Sequence, residues 1–338
     1  MRSVWVTKTG GPEVLEVRDG PERELKKGEV SIQVAASGVN FADILTRMGL
    51  YPGAPKLPAV VGYEVAGEVE KLGPGVNSCS PGDRVVALTQ FGGYSEKVVV
   101  PASAVFSIPD DLPSEKAAAI PVNYLTAWLM LIELGNLRSG EKVLVHAAAG
   151  GVGQAAVQIC RWRGAEVIAT ASAAKHERLR ETGVSHSIDY HTQDFEAEVQ
   201  RLTNGKGVDI VLDAVGGKSA LKSYRSLAPL GRLFLFGVSS FAPGTRRSLF
   251  AMLKGLFTTP SFKPLRMIRE NRGVFGVHVG HLSTRADLLR EMMAEILRLV
   301  AEGTLDPTVD RTFPLAEASQ AHSYIQAHKN FGKVVLVP

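Results

Sequence analysis

Cysteine is scarce: the 338 residues contain two, Cys79 and Cys160, which excludes a disulfide framework and points to a reducing compartment. Long apolar runs are also missing. None approaches the roughly 20 residues that span a bilayer, and Met1 to Val17 read as a strand and turn, not as the basic-then-apolar layout of a signal peptide. Low-complexity tracts and internal repeats are absent as well. The eight histidines include no H-x-x-x-H pair, and His322 and His328, six apart, fall on different helix faces. These absences predict a cytoplasmic globular protein, long enough for two domains.

An excess of one charge sign is absent everywhere but in one stretch. The net charge is +4, yet between Phe241 and Phe275 Arg246, Arg247, Lys254, Lys263, Arg266, Arg269 and Arg272 stand against Glu270 alone. The remainder is slightly acidic, and no nucleic-acid-binding motif accompanies the basic segment, so nucleic acid is excluded as a partner.

What is present divides the chain by texture. The first third carries short alternating runs punctuated by Gly and Pro, among them "VSIQVAASGV", "EVAGEVEKLG", "GDRVVAL" and "YSEKVVVP". Such runs predict a mostly antiparallel, barrel-like β domain. From Ser114 a helical stretch follows, with Pro121 expected to kink or end its first half. Then apolar strands alternate with helices: 142–147, 166–171, 186–190, 208–216, 231–238 and, after the basic segment, 273–280. That alternation predicts a doubly wound parallel sheet, buried on both faces. Arg285 to Gly303 reads as an amphipathic helix, and "KVVLVP" as a closing strand. The expected plan is a nucleotide-binding domain at 123–282 inserted into a catalytic domain made of 1–122 and 283–338.

"VLVHAAAGGVGQAAVQIC" sets a glycine-rich turn between a strand and a helix. Read as G-x-G-x-x-G it lacks the first glycine, Ala148 standing there, but keeps Gly150 and Gly153. Gly150, Gly151 and Val152 open the helix whose N-terminus would face a pyrophosphate, and Gly153 allows close helix–strand packing. A further absence selects the dinucleotide. An NAD-type fold places Asp or Glu about 20 residues on, whereas "TASAAKHERLR" has no carboxylate before Glu177. Ser172 can donate to a 2′-phosphate and Lys175 can neutralise it, which points to NADPH. Tyr190 could flank the same phosphate or the adenine.

"GVNFADILTRMGLYPG" (38–53), "GYEVAGEV" (62–69), "GDRV" (82–85), "AAAGGVGQAAVQ" (147–158) and "NFGKVVL" (330–336) together resemble the zinc-free quinone oxidoreductase branch of the medium-chain dehydrogenases/reductases. Residues 171–195 and 271–282 look most like the synaptic-vesicle-membrane-protein homologues, a zeta-crystallin-like subgroup. The resemblance implies a GroES-like β-rich catalytic domain plus a Rossmann domain, and a homodimer. Zinc members of the superfamily carry a ligand cysteine where this chain has Asn40, a ligand histidine where it has Tyr63, and a four-cysteine lobe after "GDRV". Catalytic zinc needs three protein ligands and structural zinc four, so no metal is expected. Tyr63 is read as filling the vacated volume.

Without a Lewis acid, alcohol oxidation gives way to hydride transfer onto an acceptor that is already electron-poor, an enone or a quinone. The resemblance places the loop after Asn40 over the nicotinamide. It implies that the Asn40 amide holds ribose or substrate oxygen and that Tyr51 donates the proton. It sets the nicotinamide half against Thr126, Gly237, Val238, Phe275 and Val277, and brings Asn330 and Lys333 near the cofactor. Asp43 and Arg47, at i and i+4, are spaced for an ion pair that braces the loop.

The expected function is therefore NADPH-dependent reduction of an activated double bond or quinone. Two alternatives stand beside it: an enoyl reductase on carrier-bound acyl thioesters, and an NADPH-binding lipid adaptor with little turnover. The basic segment 241–273, with Phe250, Phe257 and Phe262, is either a lid with solvated charges or a docking surface for anionic membrane.

Overall fold

The computed structural model describes the chain except residues 247, 249–252, 254 and 256 and the side chain of 283. It divides into two units: residues 1–125, 244–247 and 280–338, and residues 126–243 with 248–279.

In the first unit the alternating runs become strands. β1 (Arg2–Val6) pairs antiparallel with β2 (Leu15–Asp19). β3 (Glu29–Val39) is the longest strand of its sheet, followed by the short helix α1 (Phe41–Arg47) and then β4 (Ala59–Val60), which joins β1. β5 (Glu64–Leu72), β6 (Arg84–Leu88), β7 (Lys97–Pro101) and β8 (Val105–Ser107) complete the N-terminal part. β3 pairs with β5 along most of its length, and its first half also pairs with β7. Inward residues Val30, Ile32, Val65, Val85 and Val98 form the core that this period-2 pattern demands. The helical stretch after Ser114 breaks at Pro121, as expected. α2 (Ser114–Ala117) is one turn long, and Pro121 opens α3 (Pro121–Trp128), the position where its missing N–H costs nothing.

The second unit is a six-stranded parallel sheet. β9 (Lys142–Val145), β10 (Glu166–Ala171), β11 (His186–Asp189), β12 (Val208–Asp213), β13 (Leu227–Leu235) and β14 (Gly273–Gly276) lie in the order β11-β10-β9-β12-β13-β14. Chain direction reverses its outward course between β9 and β12, the switch point at which such sheets bind ligands beyond their strand ends. α4 (Gly151–Trp162), α5 (His176–Glu181), α6 (Phe195–Leu202) and α7 (Lys218–Arg225) connect the strands, and α8 (Pro264–Glu270) precedes β14. Leu144, Ile168, Ile188, Val211 and Leu233, one from each of β9 to β13, are buried together. Continuous apolar strands are required here because both sheet faces are covered.

The chain then returns to the first unit. α9 (Ala286–Ala301) buries Leu289, Met292, Met293, Ile296 and Leu299 along one stripe. β15 (Val309–Pro314), α10 (Ala318–Gln326) and β16 (Lys333–Val337) follow, and β16 pairs antiparallel with the end of β3. No helix among the described residues is long and apolar enough to cross a membrane.

Candidate active site

The parallel sheet brings most of the sequence-predicted cofactor residues to one edge, because every strand of it ends on the same side. Gly150–Gly153 follow β9, Ser172 and Lys175 follow β10, Tyr190 follows β11, Gly237 and Val238 follow β13, and Phe275 and Val277 lie at the end of β14. α4 starts at Gly151, so its first N–H groups point out from the turn with no helical partner, as an anion requires. The turn is tight: Ala147 has a φ of 52°, and Gly150 N donates to Ala147 O at 2.8 Å. A Cβ on Gly153 would lie 2.5 Å from both Ala147 O and Ala148 O. Only glycine lets α4 sit this close to β9.

At the end of β10, Ser172 leads a single 3-10 turn, Ala173–Lys175. Glu177 pairs with Arg180 one turn later. The carboxylate beside this strand end is Asp189, opposite Ala171 in the ladder. Both of its oxygens are taken within its own turn, by His191 N at 3.1 Å and Thr192 Oγ1 at 3.0 Å, and these bonds hold its pKa below the usual range. The neighbourhood of Ser172 and Lys175 thus fits a 2′-phosphate. Tyr190 is 44% exposed, its ring centroid 4.3 Å from that of His191. Phe275 stacks on Phe234 with ring centroids 5.0 Å apart, and Val277 N donates to Leu235 O at 2.9 Å. Thr126 is buried in α3.

In the first unit, Asn40 caps α1 and is buried. Both ends of its amide have protein partners. Nδ2 donates to Glu64 Oε1 at 2.8 Å, and Oδ1 accepts from Lys333 Nζ at 2.7 Å. Lys333 also pairs with Glu64, whose second oxygen accepts from Val122 N at 2.6 Å. Lys333 and Glu64 are 2% and 0% exposed, so the ion pair and its hydrogen bonds must satisfy each other. Neither residue type at its position advertises this in the sequence. The available signal was a lone lysine opening an apolar strand, "KVVLV", and a glutamate opening another, "EVAGEV". Asn330 donates to Gly332 O at 3.0 Å, in the turn before Lys333.

The expected Asp43–Arg47 ion pair does not form. That spacing rule describes solvent-exposed helix faces, whereas α1 is buried and its side chains answer to other donors. Asp43 accepts from Asn40 N at 2.7 Å, Gly62 N at 2.9 Å and Tyr94 Oη at 3.1 Å. Complete burial outweighs those donors and pushes its pKa up to about 7. Arg47 instead donates to His322 Nδ1 at 3.3 Å, Gln326 Oε1 at 2.8 Å and Thr245 O at 3.1 Å. Tyr94 links the two groups, its hydroxyl lying 3.0 Å from His322 Nε2. Because arginine can only donate, His322 Nδ1 accepts and Nε2 carries the proton. Burial holds this imidazole neutral, well below its ordinary pKa.

Tyr63 stands beside Tyr51, ring centroids 5.7 Å apart, and beside Phe91 at 5.1 Å. Its hydroxyl lies 3.1 Å from Thr46 Oγ1. Tyr51 is half-buried, and desolvation raises its phenol above the ordinary tyrosine pKa, as it does for Tyr63. Both phenols keep their protons at neutral pH. Among the described residues no three His, Cys, Asp or Glu side chains are grouped to hold a metal ion.

Of the basic segment, Arg247, Phe250 and Lys254 lie outside the described residues. Arg246 pairs with Glu13 at 2.9 Å, and Arg266 with Glu270 at 2.9 Å. Phe262 packs on Tyr224, ring centroids 5.3 Å apart, whereas Phe257 is exposed, as are Leu265 and Ile268 on α8.

A family profile described as the alcohol dehydrogenase GroES-like domain matches residues 26–110, and one described as zinc-binding dehydrogenase matches residues 182–336. The human synaptic vesicle membrane protein VAT-1 homolog is 40% identical over 341 residues, which cover 100% of this chain and 86% of that protein. The structure of Escherichia coli quinone oxidoreductase complexed with NADPH is similar at a TM-score of 0.89 and 29% identity, over 100% of both chains. CurK enoyl reductase is similar at 0.86 and 29% identity, over 99% of this chain and 98% of its own. A β-rich GroES-like unit together with a doubly wound parallel-sheet unit in one chain defines the medium-chain dehydrogenase/reductase class. Within it, this chain belongs to the quinone oxidoreductase family that includes the VAT-1 homologues.

Proposed function

We propose that the protein is an NADPH-dependent reductase that works without a metal on an α,β-unsaturated carbonyl or a quinone. The observation that carries this reading is the pair Asn40 and Tyr63, standing where zinc relatives have a thiolate and an imidazole. The amide of Asn40 is committed to Lys333 and Glu64, and the Tyr63 phenol keeps its proton beside Thr46. Neither is a zinc donor of the usual kind. An acceptor that needs no Lewis acid is the one this site suits.

NADPH, when bound, supplies the hydride. Gly150, Gly151, Val152 and Gly153 would cradle its pyrophosphate, Ser172 and Lys175 would bind the 2′-phosphate, and Tyr190 would flank the adenine side. Thr126, Gly237, Val238, Phe275 and Val277 would line the nicotinamide half. We give Asn40 and Asn330 positioning roles, since each spends its side-chain amide on the structure around Lys333. As electrons move from the double bond to the substrate oxygen, Tyr51 gives up its phenolic proton to the reduced product. We also take the solution form to be a homodimer, to be checked by sedimentation.

A second reading, reduction of enoyl chains held as thioesters, is favoured by the likeness to CurK enoyl reductase. One experiment separates these. Absorbance at 340 nm is followed with NADPH or NADH against an alkyl enone, a para-quinone, an ortho-quinone and a trans-2-enoyl thioester. Consumption of NADPH with the enone or a quinone is expected, and turnover confined to the thioester would favour the second reading. Faster turnover with NADH would overturn the roles of Ser172 and Lys175, and silence across the panel would overturn the reductase itself.

A further inference from the structure

The proposed chemistry leaves unused a buried polar cluster at the carboxyl ends of β9, β10 and β12. His146, directly after β9, is 3% exposed. Its Nδ1 lies 3.0 Å from Thr170 Oγ1 and its Nε2 3.0 Å from Ser223 Oγ. Ser223 in turn donates to Asp213 Oδ2 at 2.7 Å. Asp213 Oδ1 accepts from Val215 N at 2.7 Å and Gly216 N at 2.9 Å. Phe195 closes the ring's edge, centroids 4.5 Å apart.

The protons in this cluster can be placed without ambiguity. Ser223 Oγ donates its single proton to Asp213 Oδ2. Ser223 Oγ must then accept from His146 Nε2–H, which leaves Nδ1 to accept the Thr170 hydroxyl proton. Every donor has an acceptor when the imidazole is neutral, and burial lowers the His146 pKa in the same direction.

Each end of the network stops at a different part of the cofactor edge. Thr170 lies two residues before Ser172. His146 adjoins the Ala147–Gly153 turn. Asp213 fixes the loop over Val215 and Gly216, and that loop packs on Gly237: a Cβ there would sit 2.6 Å from Ala214 O. Ser239 N and Ser240 N donate to Ala214 O and Val215 O, both at 3.1 Å, completing the seam.

We propose that His146 is a positioning residue for the dinucleotide, its neutral imidazole setting the 2′-phosphate, pyrophosphate and nicotinamide segments in register through Thr170 and Ser223. The inference rests on the NADPH reading above. It gives His146 a role that core packing alone would not require, because the two arms serve opposite halves of one ligand.

The test compares affinities for NADPH and for the half-ligand 2′,5′-ADP in Thr170→Val, Ser223→Ala and His146→Gln, read by nicotinamide fluorescence and by calorimetry. Thr170→Val should weaken both ligands about tenfold, as loss of an orienting partner does at other sites. Ser223→Ala should weaken NADPH to a similar degree and leave 2′,5′-ADP unchanged. His146→Gln, which keeps a donor and an acceptor, should bind NADPH more tightly than His146→Phe. Unchanged affinities with only a lowered melting temperature, or losses that ignore this split, would overturn the inference alone. A wild-type protein that binds neither ligand would overturn the cofactor reading and the inference together.

Discussion

Lys333 and Glu64 show how much one buried pair can organise. Their charges are removed from water, and the cost is offset only because Asn40 and the Val122 N–H complete the arrangement. Replacing Lys333 by Met removes the countercharge of the buried Glu64, so the first unit should lose about 3–5 kcal/mol in urea unfolding. Asp43 makes a pH-dependent contribution. Its carboxyl is pushed from 3.8 up to about 7 in the folded chain, so across that window the folded state holds a proton that the unfolded state has released. Stability from this group is present at low pH, falls as pH rises from 3.8 to about 7, and is flat above. Urea midpoints at pH 5 and pH 8 check this: Asp43→Asn should flatten the decline that wild type shows.

At the scale of elements, strand positions were largely legible, since β10 and β16 coincide with their apolar runs to within a residue. Alternation and burial act over neighbouring residues, and a sequence records both. The glycine-rich turn was equally legible, and the structure adds the reason for its last glycine. Gly153→Ala sets a methyl against two carbonyl oxygens at 2.5 Å. It should cost about 1–3 kcal/mol of stability and weaken NADPH at least tenfold in a fluorescence titration. α1 was not legible in the same way. Its i,i+4 charges suggested an ion pair bracing the loop, but Asp43 bonds Tyr94 and Arg47 bonds His322, the partners that burial supplies.

At the scale of the molecule, the parallel sheet places residues far apart in sequence along one edge, each at the end of a strand. On the proposed reading, discrimination between dinucleotides lies with Ser172 and Lys175 after β10. Lys175→Ala should lower the NADPH over NADH preference in kcat/KM about tenfold, the loss of one charge-assisted contact, with NADH turnover little changed. The effect should shrink as salt screens the phosphate. A neutral change in preference would assign Lys175 to the solvated surface of the 3-10 turn.

The sequence by itself determined the fold class, a β-rich unit and a doubly wound parallel sheet, the glycine-rich turn between β9 and α4, and the lack of a carboxylate between Thr170 and Glu177. Each is carried by residue type and local spacing. Only the tertiary structure decided that Asn40 spends its amide on Lys333 and Glu64, that Asp43 and Arg47 part company, and that His146 joins Thr170 to Ser223. Those outcomes depend on which distant donors and acceptors share a dry interior, where every polar group must find a partner. No spacing along the chain encodes that.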